Sequence, residues 1–143
     1  MRTLYLDTEF TRLDLDRRLI SLALVEPAGA EFYVELLDGW TLADCSEFVV
    51  DIVLPQLDSA RHGHSRKAAG TALRAFLAEL GELEIVSDAL AWDWPLLLEL
   101  LGRPGLPPTT LGCREQGDLL DDLEPAEIPH HALLDARLMA RAG

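Results

Sequence analysis

Thr3-Leu4-Tyr5-Leu6 runs directly into Asp7-Thr8-Glu9, and how this stretch is read decides the fold. Its apolar part mixes β-branched, aromatic and aliphatic side chains, which reads as a β-strand. Side chains alternate along a strand, so Asp7 and Glu9 face the same way. Two adjacent carboxylates repel each other unless a cation lies between them. Hard oxygen donors of this kind suit Mg²⁺ or Mn²⁺. A solvated strand end carrying two unconnected acids is the other reading of the same residues.

Working outward, Leu19 to Val25 reads as a second, mostly buried strand and Ala30 to Leu36 as a third, with Pro27-Ala28-Gly29 as the turn between them. Short links predict an antiparallel meander of three strands. The period then changes. Residues 44–54 carry Phe48, Val49, Ile52 and Val53 at helical spacing and stop at Pro55. Residues 65–80 form the clearest amphipathic helix, with Leu73, Phe76, Leu77 and Leu80 on one side and Gly81 as its stop. Glu84 to Ser87 is the fourth strand, and a helix with Leu96, Leu97, Leu100 and Leu101 follows it. After a loop rich in proline and glycine, Thr109-Thr110-Leu111 is a short fifth strand, residues 118–123 a short helix, and a last helix starts near Pro129. The order predicts an α/β fold with a mixed central sheet, the antiparallel meander plus parallel strands, flanked by helices. Chemistry in such sheets gathers where strand ends meet helix starts.

With 143 residues, the chain fits one domain spanning 1–143, and 49% hydrophobic content fills one core and excludes a disordered chain. No apolar run approaches the ~18–20 residues a membrane-spanning helix needs, and Met1-Arg2 leads into a strand without a secretory signal. Cys45 and Cys113 lie far apart and outside any Cys-x-x-Cys pattern. Two free thiols and a cytoplasmic location are expected. The net charge is −13, from 25 acidic and 12 basic residues. A protein that grips long duplex DNA presents a broad basic face, which this composition cannot supply. An enzyme that handles only a strand end is not excluded, because divalent ions supply local positive charge.

His130-His131-Ala132-Leu133-Leu134-Asp135 is the second informative segment. Residues five apart in a helix differ by roughly 140° around its axis, so His130 and Asp135 share a face only if one of them is outside the helix. Pro129 favours that, placing His130 in the loop before the helix and Asp135 on it. An imidazole suits proton transfer at neutral pH. His131 reads as a surface residue, and His62 and His64 as part of an exposed loop whose Arg61, Arg66 and Lys67 form the main basic cluster. Asp93, in Ala91-Trp92-Asp93-Trp94, follows the fourth strand as a helix cap or as a third site acid. Asp88 competes with it for the role of strand-end acid, and Asp93 is favoured.

An Asp-x-Glu on the first strand, an Asp after an aromatic residue on a middle helix and a His-x4-Asp at the last helix resemble the DEDD-type 3′–5′ exonucleases. The histidine is that of the DEDDh branch, within the ribonuclease H-like fold. Tyr5-Leu6-Asp7-Thr8-Glu9-Phe10, Ala91-Trp92-Asp93 and His130-x-Ala132-Leu133-x-Asp135-Ala136-Arg137 look like a compact bacterial exoribonuclease subgroup. Many relatives carry Asn four residues before the middle aspartate, where this chain has Ala89.

The resemblance implies a metal-dependent 3′–5′ exonuclease acting on single-stranded RNA or DNA 3′ ends and short oligonucleotides, RNA above DNA, and working as a homodimer. It implies two divalent metal ions, Mg²⁺ or Mn²⁺. Asp7, Glu9 and Asp135 would hold the first, while Asp7 would bridge to the second with the help of Asp93. His130 would accept the proton of the attacking water. Phe10 and Thr8, beside the metal pair, are the substrate contacts; Phe10 reads equally as a core residue. Two other functions fit the same residues, a phosphodiesterase for dinucleotides or nucleotide signals and a non-catalytic acidic module binding metal or a protein partner.

Overall fold

The computed structural model describes residues 1–143. Strands β1 (Arg2–Phe10), β2 (Leu19–Val25) and β3 (Glu31–Leu36) form the antiparallel meander. A short helix α1 (Ser59–His62) leads into the two-residue strand β4 (Gly63–His64), which pairs parallel to β3. Helix α2 (Arg66–Leu80), strand β5 (Leu83–Ser87), helix α3 (Leu90–Leu101), strand β6 (Thr110–Glu115) and helix α4 (Ala132–Ala142) complete the chain. The six strands run in the order β4-β3-β2-β1-β5-β6, with β5 parallel to β1 and β6 parallel to β5. This is the expected α/β architecture with a mixed sheet. No helix is long and apolar enough to cross a membrane.

Strand parity sorts the core into two layers. Leu4, Leu6, Leu22, Leu24, Val34 and Ile85 face Leu73, Leu77, Leu97 and Leu101 of α2 and α3. The alternate residues Tyr5, Ala23, Val25 and Val86 face Ala132, Ala136 and Met139 of α4. Asp7 and Glu9 therefore lie on the α4 face and Thr8 on the α3 face. The apolar stripe of α2 packs as its spacing predicts. Ser65 caps it by accepting the Ala68 amide hydrogen at 3.1 Å, and Gly81 ends it with φ +75°.

Gly70, buried in α2, touches the backbone of α3: a Cβ there would overlap the Leu100 carbonyl oxygen. Gly70→Ala is expected to lower stability by about 1–3 kcal/mol through overpacking. That outweighs the ~1 kcal/mol by which a helix interior prefers alanine. A thermal unfolding midpoint unchanged or raised by the substitution would show that the two helices can separate freely.

Four local expectations differ from the structure. The 44–54 stretch is no regular helix but a 3₁₀ turn at Leu42–Asp44, a π-helical turn at Val49–Val53 and a second 3₁₀ turn at Leu54–Gln56. The wide turn seats Val49 and Val53 on Ile20 and leaves Phe48 and Ile52 exposed. Residues 118–123 form turns, not a helix. The last helix begins at Ala132, three residues beyond Pro129, because His130 has φ +55° and His131 is extended. Finally, β1 continues through Phe10, so Asp7 and Glu9 are themselves strand residues, Glu9 the last but one.

Candidate metal centre

β1 and β5 are parallel, and their C-terminal ends lie side by side, Tyr5 opposite Val86. Asp88, just past β5, and Asp93, in the first turn of α3, thereby reach Asp7. From the opposite layer α4 brings Asp135 to Asp7 and Glu9. Two triplets result, Asp7-Glu9-Asp135 and Asp7-Asp88-Asp93. In each, three carboxylate oxygens lie within 4.8 Å of one another, and Asp7 belongs to both. Of the residues read from sequence, Asp7, Glu9, Asp93 and Asp135 converge. Asp88, set second to Asp93, joins them: the strand end and the helix start present one acid each.

Crowding and burial show in the protonation of these groups. Burial and then the charges of Asp93, Glu9, Asp135 and Asp88 push Asp7 well above the ordinary carboxylate range. Burial followed by Asp135 and Asp93 raises Glu9 to about 8. Asp93 rises to about 7 through burial, against the lowering effect of its hydroxyl partners. Asp135 also rises to about 7, through burial and then Asp88.

The two oxygens of Asp93 accept hydrogen bonds from Thr8 and Ser87, each 2.6 Å long. Thr8, 4% exposed, thus points its hydroxyl at Asp93 from the α3 face of β1. Two oxygens differ from the rest: Asp7 Oδ2 and Asp135 Oδ1 are buried with no hydrogen-bond partner. Buried acceptors left without a donor are costly, and a hard cation is one group that can satisfy an all-carboxylate set, as a shared proton is another. The residues therefore fit divalent ions at both triplets.

A cleft of about 760 Å³ opens over the acids. Its rim is apolar, with Phe10, Phe48, Val49 and Trp92, and His130 reaches it from the loop before α4. The His130 ring meets Phe48 edge-on, centroids 5.0 Å apart. Phe10 lines the cleft and, partly buried, also packs against the main core cluster, lying parallel to Trp92 at 5.8 Å.

Arg17 covers both rings, its guanidinium 5.5 Å from the Phe10 centroid and 4.8 Å from that of Trp92, and donates to the Trp92 carbonyl at 2.8 Å. Sequence reading missed Arg17 and Arg12. The signal was present, since Arg12, Arg17 and Arg18 all follow the acidic couplet within one loop. Arg12 lines the cleft and pairs with Asp14, and in the 61–67 cluster Arg66 is likewise paired, with Glu99 at 2.8 Å.

His131 differs most from expectation. It is half-buried, caps α4 and contacts the Tyr33 hydroxyl, because the extended residue before a helix turns its side chain back onto the sheet. His62 is likewise half-buried, its ring edge-on to Tyr33, and His64 lies in β4 instead of a loop. Compared with protein-family models and with curated proteins, the chain matches none.

Proposed function

We propose that this chain is a metal-dependent 3′–5′ exonuclease of the DEDDh kind, with a ribonuclease H-like fold, acting on single-stranded 3′ ends. The observation that carries the proposal is the pair of carboxylate triplets sharing Asp7 beneath a cleft that also holds His130. A three-strand meander with parallel strands beyond β1 is compatible with that fold. Asp7, Glu9 and Asp135 would hold one divalent ion, and Asp7, Asp88 and Asp93 the other. Bound ions supply positive charge for the scissile phosphate, the attacking water and the departing oxygen.

The protein's own groups do the rest. His130 takes a proton from the water as its oxygen bonds to phosphorus. The P–O3′ bond breaks in line, and the released 3′-oxygen is protonated from solvent. Phe10 and Trp92, held parallel by Arg17, offer an apolar edge to the terminal base. The small cleft and the net charge of −13 favour short oligonucleotides over long duplexes, and the preference for RNA over DNA rests on the family resemblance alone. Action as a homodimer belongs to the same proposal.

The test is a 5′-labelled RNA 10-mer incubated with the protein and Mn²⁺. A ladder shortening from the 3′ end is expected, and His130→Ala should slow it by about 10²–10⁴-fold, the usual contribution of a general base. Cleavage confined to dinucleotides would point to a small-nucleotide phosphodiesterase. No cleavage with any divalent ion would leave a metal-binding module.

A further inference from the structure

We propose that the pair of half-buried Tyr33 and buried Glu35 holds His130 in place over the carboxylates, acting through His131. The catalytic side of this inference rests on the role of His130 proposed above. Register sets up the arrangement. Asp7 pairs with Ala23 and Ala23 with Tyr33; Glu9 pairs with Ser21 and Ser21 with Glu35. Residues in register across a sheet share a face, so Tyr33 and Glu35 lie on the acidic face two strands away. They are no part of either triplet.

Glu35 is only 1% exposed. Its carboxylate accepts from the Tyr33 hydroxyl at 2.5 Å, from the Asp58 amide at 2.9 and 3.1 Å, and from the Ser59 hydroxyl at 3.4 Å. Enough donors converge to bury this charge without a cation. Since Tyr33 gives its proton to Glu35, its oxygen is left to accept from His131 Nε2, 3.2 Å away. That assigns the His131 proton to Nε2 and leaves Nδ1 to accept the Leu134 amide hydrogen at 3.5 Å, which caps α4. One tautomer satisfies both contacts.

His131 is thus held at both ring nitrogens. Next to it His130 sits at φ +55°, a left-handed conformation that a non-glycine residue seldom adopts. Such strain persists only when the flanks impose it. Here the flanks are His131 on one side and Gln56 on the other, whose amide donates to the Pro129 carbonyl at 2.7 Å and the His130 carbonyl at 3.4 Å. A misplacement of about 1 Å in a reacting group can cost 10²-fold in rate, so a modest release of this clamp is measurable.

Tyr33→Phe in the full chain isolates the hydroxyl, because the ring keeps its contacts with His62 and His131. Two readouts are needed: the NMR signals and amide exchange of residues 130–132, and kcat and KM on the RNA 10-mer with Mn²⁺. Shifted His130 signals and faster exchange confined to that loop are expected, with kcat down about tenfold or more and KM unchanged. Unmoved His130 signals overturn the proposal, as does a normal kcat or a loss confined to KM in an active enzyme. If the unaltered protein cleaves no RNA yet Tyr33→Phe moves the His130 signals, the hydrolytic proposal fails and the positioning one stands.

Discussion

Asp7→Asn is expected to abolish phosphodiester cleavage while making the metal-free protein more stable. Asp7 is the acid common to both triplets, so its loss weakens both proposed ion sites together. Removing several kcal/mol of charge stabilisation from the transition state, at about 1.4 kcal/mol per factor of ten, gives a fall of roughly 10³-fold or more in kcat. Stability should move the other way. The Asp7 carboxylate is opposed by burial and by four neighbouring acids, and its Oδ2 has no partner. Asparagine has the same shape without the charge.

In EDTA at pH 8 a rise of about 3 °C or more in the unfolding midpoint is expected, near the shift that 1 kcal/mol produces in a domain of this size. Saturating Mn²⁺ should reverse the order, because only the unaltered protein gains the full binding energy. Thermal melts with and without Mn²⁺, beside the RNA assay, read all three effects. An active Asp7→Asn protein would remove Asp7 from the shared position, and an inactive but destabilised one would make it a structural residue.

Without metal, stability should decline as pH rises from 5 to 8.5, and Mn²⁺ should cancel the decline. Glu9, Asp93 and Asp135 bind protons more tightly in the folded protein than in the unfolded chain, with folded values of about 8, 7 and 7 against ordinary values of 4.5, 3.8 and 3.8. Folded-state pKa values raised in this way stabilise below the unfolded values, and that stability is lost as pH climbs through the folded ones. The window therefore runs from about pH 4 to about pH 8.

Glu31, lowered by its hydrogen bond to Arg137, works in the opposite sense and only in acid. A divalent ion competes with these protons, so its effect grows with pH. At a hundredfold excess over Kd it amounts to ~2.7 kcal/mol. Melting temperatures in EDTA and in MnCl₂ at half-unit pH steps should diverge steadily above pH 6. Curves that run parallel, or a metal-free midpoint that rises towards pH 8, would show that the acids do not crowd one another.

Much of the fold was legible because its signals are local. Two-residue alternation in β1 placed Asp7 and Glu9 together, three-to-four spacing marked α2, and Pro27-Ala28-Gly29 marked the β2–β3 turn. The π-helical turn at Val49–Val53 was not legible. Its apolar spacing is that of an α-helix, and only docking on Ile20 selects the wider turn. The start of α4, read near Pro129 with His130 in the entry loop, falls at Ala132: His130 does lie in that loop, and its left-handed backbone and the extended His131 delay the helix.

For the site, the chain by itself determined which side chains can serve. Parity put two acids on one face of β1, and Pro129 kept His130 apart from the helix that carries Asp135. Tertiary structure decided which of those side chains meet. The parallel pairing of β1 with β5 brought both Asp88 and Asp93 to Asp7, where sequence offered them as rivals. Packing of α4 on the opposite layer turned His131 onto Tyr33 and Glu35. Alternation and helical period act over a few residues, whereas these meetings join residues up to 128 positions apart, from Asp7 to Asp135, and only the assembled sheet and its two helical layers bridge that distance.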